Sequence, residues 1–440
     1  MKINFFTPLP PAPTDVARCV ERLLPALAER AEVTLWTDQP DVDRSVSKLC
    51  AVRRYEGSFE DWRPLSYADF NLYNVGNDGR FHSAIMDVAQ VCPGVVVLHD
   101  VCVHELLVAT LERDARLGER YMALMEAFGP EAVAAARGVL KGEVRICDIA
   151  PKFPMTDWAL RGALGVVSHN AAALRAAVPN RKVPLLDVPL PWLPVAQMAP
   201  ARAHERGSGR LEMVICGFLN SESRRLCQVL DAMAKFPRRN DLRLNIAGTV
   251  SDPRRLALDI ERRGLSRCVR VHGFLSERAL GRLLEKSHMA INLRWPSVGE
   301  ASGAQLRFWN HSLPTLVTRT GWYAQQPEDC VLFVDPAREE ADLHRHWDAA
   351  LDHYDVLTRV GMNGHRRLEE RHSAETFADA LIGFLPSVER YRSRAFVTPL
   401  AEHAGHVLGA TGLPEGVRCR VANSVAQALG DIAGLDREGA

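Results

Sequence analysis

Residues 294–304 read RWPSVGEASGA, which sets a carboxylate, Glu300, two positions ahead of a small-residue turn made of Ser302, Gly303 and Ala304. The run HMAINLR before it is apolar enough for a buried strand, and an apolar helical stretch follows. A turn of this kind between strand and helix leaves backbone N–H groups pointing outward, and the helix dipole favours negative charge there. An anion suits the turn; Glu300 either holds a second part of the same ligand or caps the helix. Other predicted strands also end on polar groups. In the first half these are Thr7–Pro8, Asn77 within NVGNDGRFH, His99 and Asp100 in VVVLHD, and Ser168–His169 in VVSHN. In the second half they are Gly217–Asn220 followed by Arg224 and Arg225, then Gly248–Thr249, then Arg294.

One polar residue closing a strand is usually a turn or a cap. The set is more informative. The first half offers neutral and acidic hydrogen-bonding groups, whereas the second offers arginines and a helix N-terminus, the equipment for a diphosphate. Against this, Arg224 and Arg225 have a plainer reading as a solvated helix start, and His99 as a strand cap.

The elements that must position these groups alternate between strand and helix. KINFFT, EVTLW, FNLYNV, GVVVLH and LGVVSH are short apolar runs with β-branched content, and residues 16–30 put Val20, Leu23, Leu24 and Leu27 on one helical face. Such alternation predicts parallel strands covered on both faces. Residues 103–146 read as a helical insertion rich in Ala, Leu and Glu. Residues 179–210 are proline-rich and then polar, as expected of a domain linker. The alternation then restarts with LEMVICGF, LRLNIAG, CVRVHGF, HMAINLR, PTLVT and VLFV, and long helices are expected over 339–391. The expected fold is α/β: two doubly wound, Rossmann-like units facing across a cleft, where open α/β sheets bind ligands at the carboxyl ends of their strands. The expected boundaries are 1–190, 191–390 and an extension at 391–440 that returns to the first unit.

Composition bounds the function. With 440 residues the chain exceeds one small core, and its 54 basic and 54 acidic residues balance to a formal net charge of +0. That balance argues against a nucleic-acid-coating surface and leaves a local basic pocket open. No apolar run reaches the ~18–20 residues of a membrane span, so a cytoplasmic protein is expected, with peripheral contact at the inner membrane face left open. The ten cysteines contain no CxxC pair. Cys92, His99, Cys102 and His104 read better as buried thiols and a cleft histidine than as metal ligands. DVD at 41–43 mimics a metal-binding motif but sits in a loop beside Arg44 and is taken as chance, so no metal site is expected.

Three stretches in order, VVVLHD (95–100), GFLNSESRR (217–225) and NLRWPSVGEASG (292–303), resemble the retaining glycosyltransferases of group four, which have the GT-B fold, and a bacterial subgroup of them in particular. The resemblance covers nearly the whole chain to about residue 390. It implies a hexosyltransferase-type enzyme that takes a GDP- or UDP-sugar as co-substrate, with no other cofactor and no metal. The second domain would bind the nucleotide sugar, and the first would bind a saccharide, lipid-linked or small-molecule acceptor. By position, Ser302, Gly303 and Ala304 would give backbone N–H bonds to the diphosphate, and Glu300 would bond the donor sugar's hydroxyls. Arg224 would neutralise the leaving group with help from Arg225 or Arg294, and Gly217 and Asn220 would also bind the nucleotide sugar. His99 would face the transferred sugar, with Asp100 and Asn77 on the acceptor or donor-sugar side. Bacterial relatives imply products such as cell-surface polysaccharide, a glycosylated lipid carrier or a secondary metabolite.

The chain departs from that pattern in three places. The family's second carboxylate falls at Arg307–Phe308, which removes a usual ribose ligand. Asp15 stands near a glycine of the first loop, where a carboxylate repels a diphosphate or binds an acceptor hydroxyl. Phe218 replaces an arginine after the first glycine of the second domain. Two rival functions follow: a degenerate GT-B protein that binds a sugar or partner without turnover, and a GT-B enzyme of other nucleotide-sugar chemistry such as an epimerase. Base, sugar, acceptor and oligomeric state are not written in the sequence.

Overall fold

The structure, a computed structural model, describes residues 1–55, 65, 67–113, 116–180, 183–192, 209–219, 222–392, 401, 404–405, 407–409 and 411–433. The chain forms two compact units. One is Met1–Pro189 together with the described residues from Ala374 onward, and the other is Leu190–Ser373.

The first unit is a seven-stranded parallel sheet of β1 (Lys2–Phe6), β2 (Glu32–Thr37), β3 (Ala51–Arg54), β4 (Phe70–Val75), β5 (Gly94–Leu98), β6 (Ala163–Ser168) and β7 (Leu185–Asp187), in the order β3-β2-β1-β4-β5-β6-β7. The apolar runs expected as strands are buried along nearly their whole length, as helices on both faces require. Helix Asp15–Ala28 starts where the Thr14 hydroxyl accepts the N–H of Val16, and it buries Val20, Leu23, Leu24 and Leu27 as its period predicts. The expected insertion is a set of helices, His104–Leu111, Leu117–Glu126, Pro130–Leu140 and Ile146–Ile149. Two edge strands lie outside the sequence reading. β3 is largely exposed and carries two arginines, and β7 falls inside the stretch read as linker; residues 193–208 of that stretch lie outside the described residues.

The chain rejoins the first unit at Ala374, ahead of the boundary expected at 390. The reason is helix Ala374–Val388, which packs on helix Asp15–Ala28 and on β6. Its Asp379 pairs with Arg30 at 2.6 Å, and a Cβ added to Gly165 would stand 2.6 Å from the Val388 side chain.

The second unit holds all six expected strands: β8 (Leu211–Phe218), β9 (Leu242–Thr249), β10 (Val269–Gly273), β11 (Met289–Asn292), β12 (Thr315–Thr318) and β13 (Leu332–Val334). They are parallel and run β10-β9-β8-β11-β12-β13, so the strand order reverses between β8 and β11. That reversal opens a crevice at the carboxyl ends of the strands. Helix Gly303–Asn310, which follows β11, is backed by helix Tyr354–Arg371 through two glycines. A Cβ on Gly361 would meet the Ser312 carbonyl oxygen at 1.9 Å, and one on Gly364 would meet the Trp309 ring at 2.1 Å. Gly364→Ala is therefore expected to destabilise the protein by about 1–3 kcal/mol through overpacking. A urea-unfolding midpoint equal to wild type would contradict this close approach. No described helix is long and apolar enough to cross a membrane.

Candidate functional site

In the second unit the residues singled out by type and spacing gather at the β8/β11 switch point. Ala290 lies opposite Val214, so the register brings the end of β11 level with Cys216 and Gly217. The penultimate residue of β8 is Gly217 at φ +119°, opposite Gly248 of β9 at φ +140°, and a Cβ on Gly248 would strike the Gly217 carbonyl oxygen at 1.9 Å. Only glycine fits there. The chain then turns through Glu222–Arg224, which returns the Arg224 guanidinium over the strand end, 3.7 Å from where a Gly217 Cβ would stand. Asn220 lies outside the described residues. The Trp295 N–H donates to the Ser223 carbonyl at 2.8 Å, and the Arg294 N–H to the Thr318 hydroxyl at 3.0 Å, which ties the loop after β11 to both of its neighbours.

Glu300 lies in that loop, only 7% exposed. One carboxylate oxygen accepts the Val298 N–H at 2.9 Å and the Ser297 hydroxyl at 3.2 Å. The other lies 2.7 Å from Arg294 Nε, although the N–H is not aimed along the line, so the contact is an ion pair rather than a directed hydrogen bond. Glu300 does not cap the helix. Ser302 does: its hydroxyl accepts the Gln305 N–H at 3.2 Å and is itself held by Asn292 Nδ2 at 3.1 Å. The N–H groups of Gly303 and Ala304 precede the first helical bonds, and no acceptor among the described residues takes them. Arg224, Arg294 and two open N–H groups thus stand at one switch point, with a buried carboxylate beside them.

Two candidates are engaged elsewhere, and a third faces solvent. Arg225 was expected among the phosphate donors, but it adopts φ +58° and forks onto Glu339, with Nε–Oε2 at 3.0 Å and Nη2–Oε1 at 3.2 Å. That partner is 114 residues away and out of reach of local pattern. Arg307 pairs with Glu277 at 3.1 Å through Nη2 and lies over the Trp192 ring, while Phe308 is fully buried, so neither supplies the missing carboxylate's chemistry. Asp15 is exposed in the first turn of its helix, where a negative charge complements the dipole.

The first unit arranges its strand ends around one asparagine. Asn74, buried in β4, donates through Nδ2 to the Thr7 hydroxyl at 3.0 Å, and Thr7 donates onward to the Pro8 carbonyl at 3.1 Å. Asn74 Oδ1 is therefore the acceptor for His99 Nε2, 2.5 Å away, and the Asn74 carbonyl accepts from His82 Nδ1 at 3.0 Å. His169, one strand further on, donates through Nδ1 to the Val188 carbonyl at 3.0 Å, and its ring packs 5.1 Å from that of His99. Burial holds all three rings neutral: it pushes His82 and His169 down to about 4 and His99 well below its usual range, with His169 and His82 adding to the last shift. Asp100 accepts the Asn77 N–H at 2.8 Å. The Asn77 side chain bonds Glu105 and accepts the Leu106 N–H, so it fastens helix His104–Leu111 rather than facing a ligand. The imagined Cys92, His99, Cys102, His104 cluster dissolves: Cys102 bonds the Ala150 carbonyl, and both ring nitrogens of His104 are taken, by Phe153 and Tyr121. Asp43 of DVD caps a short helix by accepting the Ser45 N–H.

No protein-family model and no curated protein matches the chain. Solved structures do. Anabaena Alr3699/HepE in complex with UDP and glucose is 12% identical with a TM-score of 0.58, the match covering 88% of this chain and 100% of that one. Sucrose-phosphate synthase from Thermosynechococcus elongatus is 16% identical at TM-score 0.58, covering 88% and 99%. WaaG, a glycosyltransferase involved in lipopolysaccharide biosynthesis, is 15% identical at TM-score 0.54, covering 87% and 100%. At such identities the likeness is one of fold, and the fold is GT-B.

Proposed function

We propose that this protein is a glycosyltransferase that moves a sugar from a nucleotide-diphosphate donor to an acceptor, with retention and without a divalent metal. The observation that carries the reading is the grouping of Arg224, Arg294 and the Gly303 and Ala304 N–H groups at the β8/β11 crevice. Cleaving a glycosyl–phosphate bond leaves an anionic diphosphate, and donors fixed where that charge develops stabilise the transition state more than the ground state. Cations and helix N–H groups here do what a metal does elsewhere. Glu300, an acceptor anchored by the Val298 N–H, is suited to a sugar hydroxyl beside the diphosphate. A front-face route needs no close carboxylate pair of the glycosidase kind. The neighbours with UDP and glucose, and the one named for lipopolysaccharide biosynthesis, support a nucleotide sugar as donor and a saccharide acceptor.

Calorimetric titration of UDP and GDP, run in the presence of a chelator, tests the donor site. Arg224→Ala is expected to weaken diphosphate binding by about 1.5–3 kcal/mol, the range for a hydrogen bond involving charge. Equal affinity in a folded variant would remove Arg224 from the site, and binding that requires magnesium or manganese would remove the metal-free mechanism. One observation favours a second reading, a protein that binds the nucleotide sugar without turnover. Arg307, paired with Glu277, and the buried Phe308 occupy the position where the family that the chain resembles has its second carboxylate, so neither supplies a ribose ligand. Binding without any transfer or donor hydrolysis would establish it.

A further inference from the structure

The charge of this chain balances overall but is not evenly placed. Residues 253–286, which include the edge strand β10 of the second sheet, hold nine lysines and arginines against four acidic residues. Pairing does not neutralise the excess. Asp259 lies 3.5 Å from Arg263 and Glu277 pairs with Arg307 at 3.1 Å, so two of the four acids are already engaged. Arg254, Arg262, Arg270, Arg278, Arg282 and Lys286 are exposed and make no ion pair or side-chain hydrogen bond among the described residues. Elsewhere in the unit exposed cations are matched, Lys235 to Glu340 at 2.6 Å and Arg238 to Asp352 at 2.8 Å. The register gathers part of the unmatched set on one side of the sheet. Arg270 lies opposite Asn245 and Asn245 opposite Val214, so the three side chains share a face. Helix Glu277–Glu285 covers that face, because its Leu284 packs in one cluster with Val214 and Ala247. Along this helix and its C-cap, Arg278, Arg282 and Lys286 recur every fourth residue as one exposed stripe, about 12 Å long. Beyond it β10 is bare, with Arg270, Val271 and His272 all exposed. Helix Pro253–Arg262 carries Arg254, Leu258 and Arg262 at the same spacing of four.

We propose that the β10 edge and helix Glu277–Glu285 of the second unit dock the protein on an anionic lipid bilayer. The negative potential of such a surface attracts cations held within a Debye length of it, and each strengthens binding about fivefold. One exposed arginine therefore counts for little, whereas a stripe of three with Arg270 beside it counts for a great deal. The aliphatic side chains among the cations select lipid over nucleic acid. Leu258 is 51% exposed and Val271 47%. Such groups gain by entering the boundary between headgroups and acyl chains, and they find nothing to stack on along a phosphate backbone. A second copy of this chain would bring the same excess of positive charge to the contact and be repelled. The docking surface stands apart from the donor site and does not depend on the sugar-transfer reading.

The test is co-sedimentation of the full-length protein with vesicles of phosphatidylcholine alone, or of phosphatidylcholine mixed with phosphatidylglycerol. Binding is expected to the mixed vesicles and not to the neutral ones, and to fall as salt is added. The triple variant Arg278→Gln, Arg282→Gln, Lys286→Gln should weaken it about a hundredfold, at about fivefold for each cation. Arg278→Lys with Arg282→Lys keeps the charge and should bind like wild type. A second triple variant, Arg44→Gln, Lys48→Gln, Arg54→Gln, removes the same charge from exposed positions of the first unit and should bind within about threefold of wild type. Unfolding midpoints equal to wild type report that each variant is folded. The inference is overturned if wild type does not prefer the mixed vesicles, or if the two glutamine triples lose equally. It is overturned as well if the first triple binds like wild type, or if single-stranded RNA binds the wild type more tightly than the mixed vesicles do.

Discussion

Glu300→Ala is expected to destabilise the protein by about 3–5 kcal/mol, the cost of leaving one member of a buried ion pair without its partner. Arg294 and Glu300 have side chains only 13% and 9% exposed, so water cannot readily solvate the guanidinium that remains. Replacing both, as Glu300→Ala with Arg294→Met, should restore most of the loss, because an apolar pair carries no desolvation cost. Urea unfolding of the single and double variants decides the matter, and equal midpoints would mean the pair is not energetically coupled. Glu300→Gln separates the catalytic role from this structural one. The amide keeps the shape and loses the charge, so turnover should fall by about 1.5–3 kcal/mol, roughly tenfold to a hundredfold. Affinity for bare UDP should hold, since the diphosphate donors lie on other residues. Normal turnover by Glu300→Gln would leave the glutamate as an anchor for Arg294 and strengthen the non-catalytic reading.

The protein should also lose stability steeply on mild acidification. His82, His99 and His169 are all lowered in the folded state, chiefly by burial, while an unfolded histidine titrates near 6.5. Between those limits the unfolded chain binds more protons than the folded one, so stability rises with pH. The contribution is complete above about pH 6.5 and is lost as pH falls from there toward the lowered folded values, about 4 for His82 and His169. Each histidine contributes a slope of up to about 1.4 kcal/mol per pH unit. Three of them together approach roughly 4 kcal/mol per unit. Asp38, Asp87 and Glu105 are raised by burial and act in the opposite sense at the acid end, so pH 7.5 to 5.5 is the cleaner window. Unfolding midpoints that stay flat over that range would contradict the neutral, buried state of these rings. His82→Gln should lessen the slope.

Much of this was legible from residue pattern. The central strands announce themselves as unbroken apolar runs because both faces of each sheet are covered, and the turn at Ser302–Ala304 does begin a helix at a strand end. The edges were not legible. β3 carries Arg53 and Arg54 toward solvent, and β7 is three residues long between prolines, so neither has the burial that makes a strand visible. The candidate residues divide along the same line. Arg224, Arg294, Glu300 and Gly303 all follow the ends of β8 and β11, which are neighbouring parallel strands, a placement that strand order implies. Arg225 and Arg307 instead pair with Glu339 and Glu277 of distant helices, and no local spacing encodes that. The one overlooked signal was polarity inside an apolar strand. Asn74 in FNLYNV had to find partners once buried, and it found His82 and His99.

The helix Ala374–Val388 has a consequence for the order in which the molecule is made. A ribosome delivers Leu190–Ser373 as one continuous piece, so the second unit has all of its sheet before the first has its helix Ala374–Val388. Until then, β6 and the helix Asp15–Ala28 wait with the seat for Phe384 and Val388 uncovered. At about 5–20 residues per second the interval lasts roughly 10–40 s. The part translated first is therefore finished last, and for that interval it exposes apolar surface that the finished protein buries.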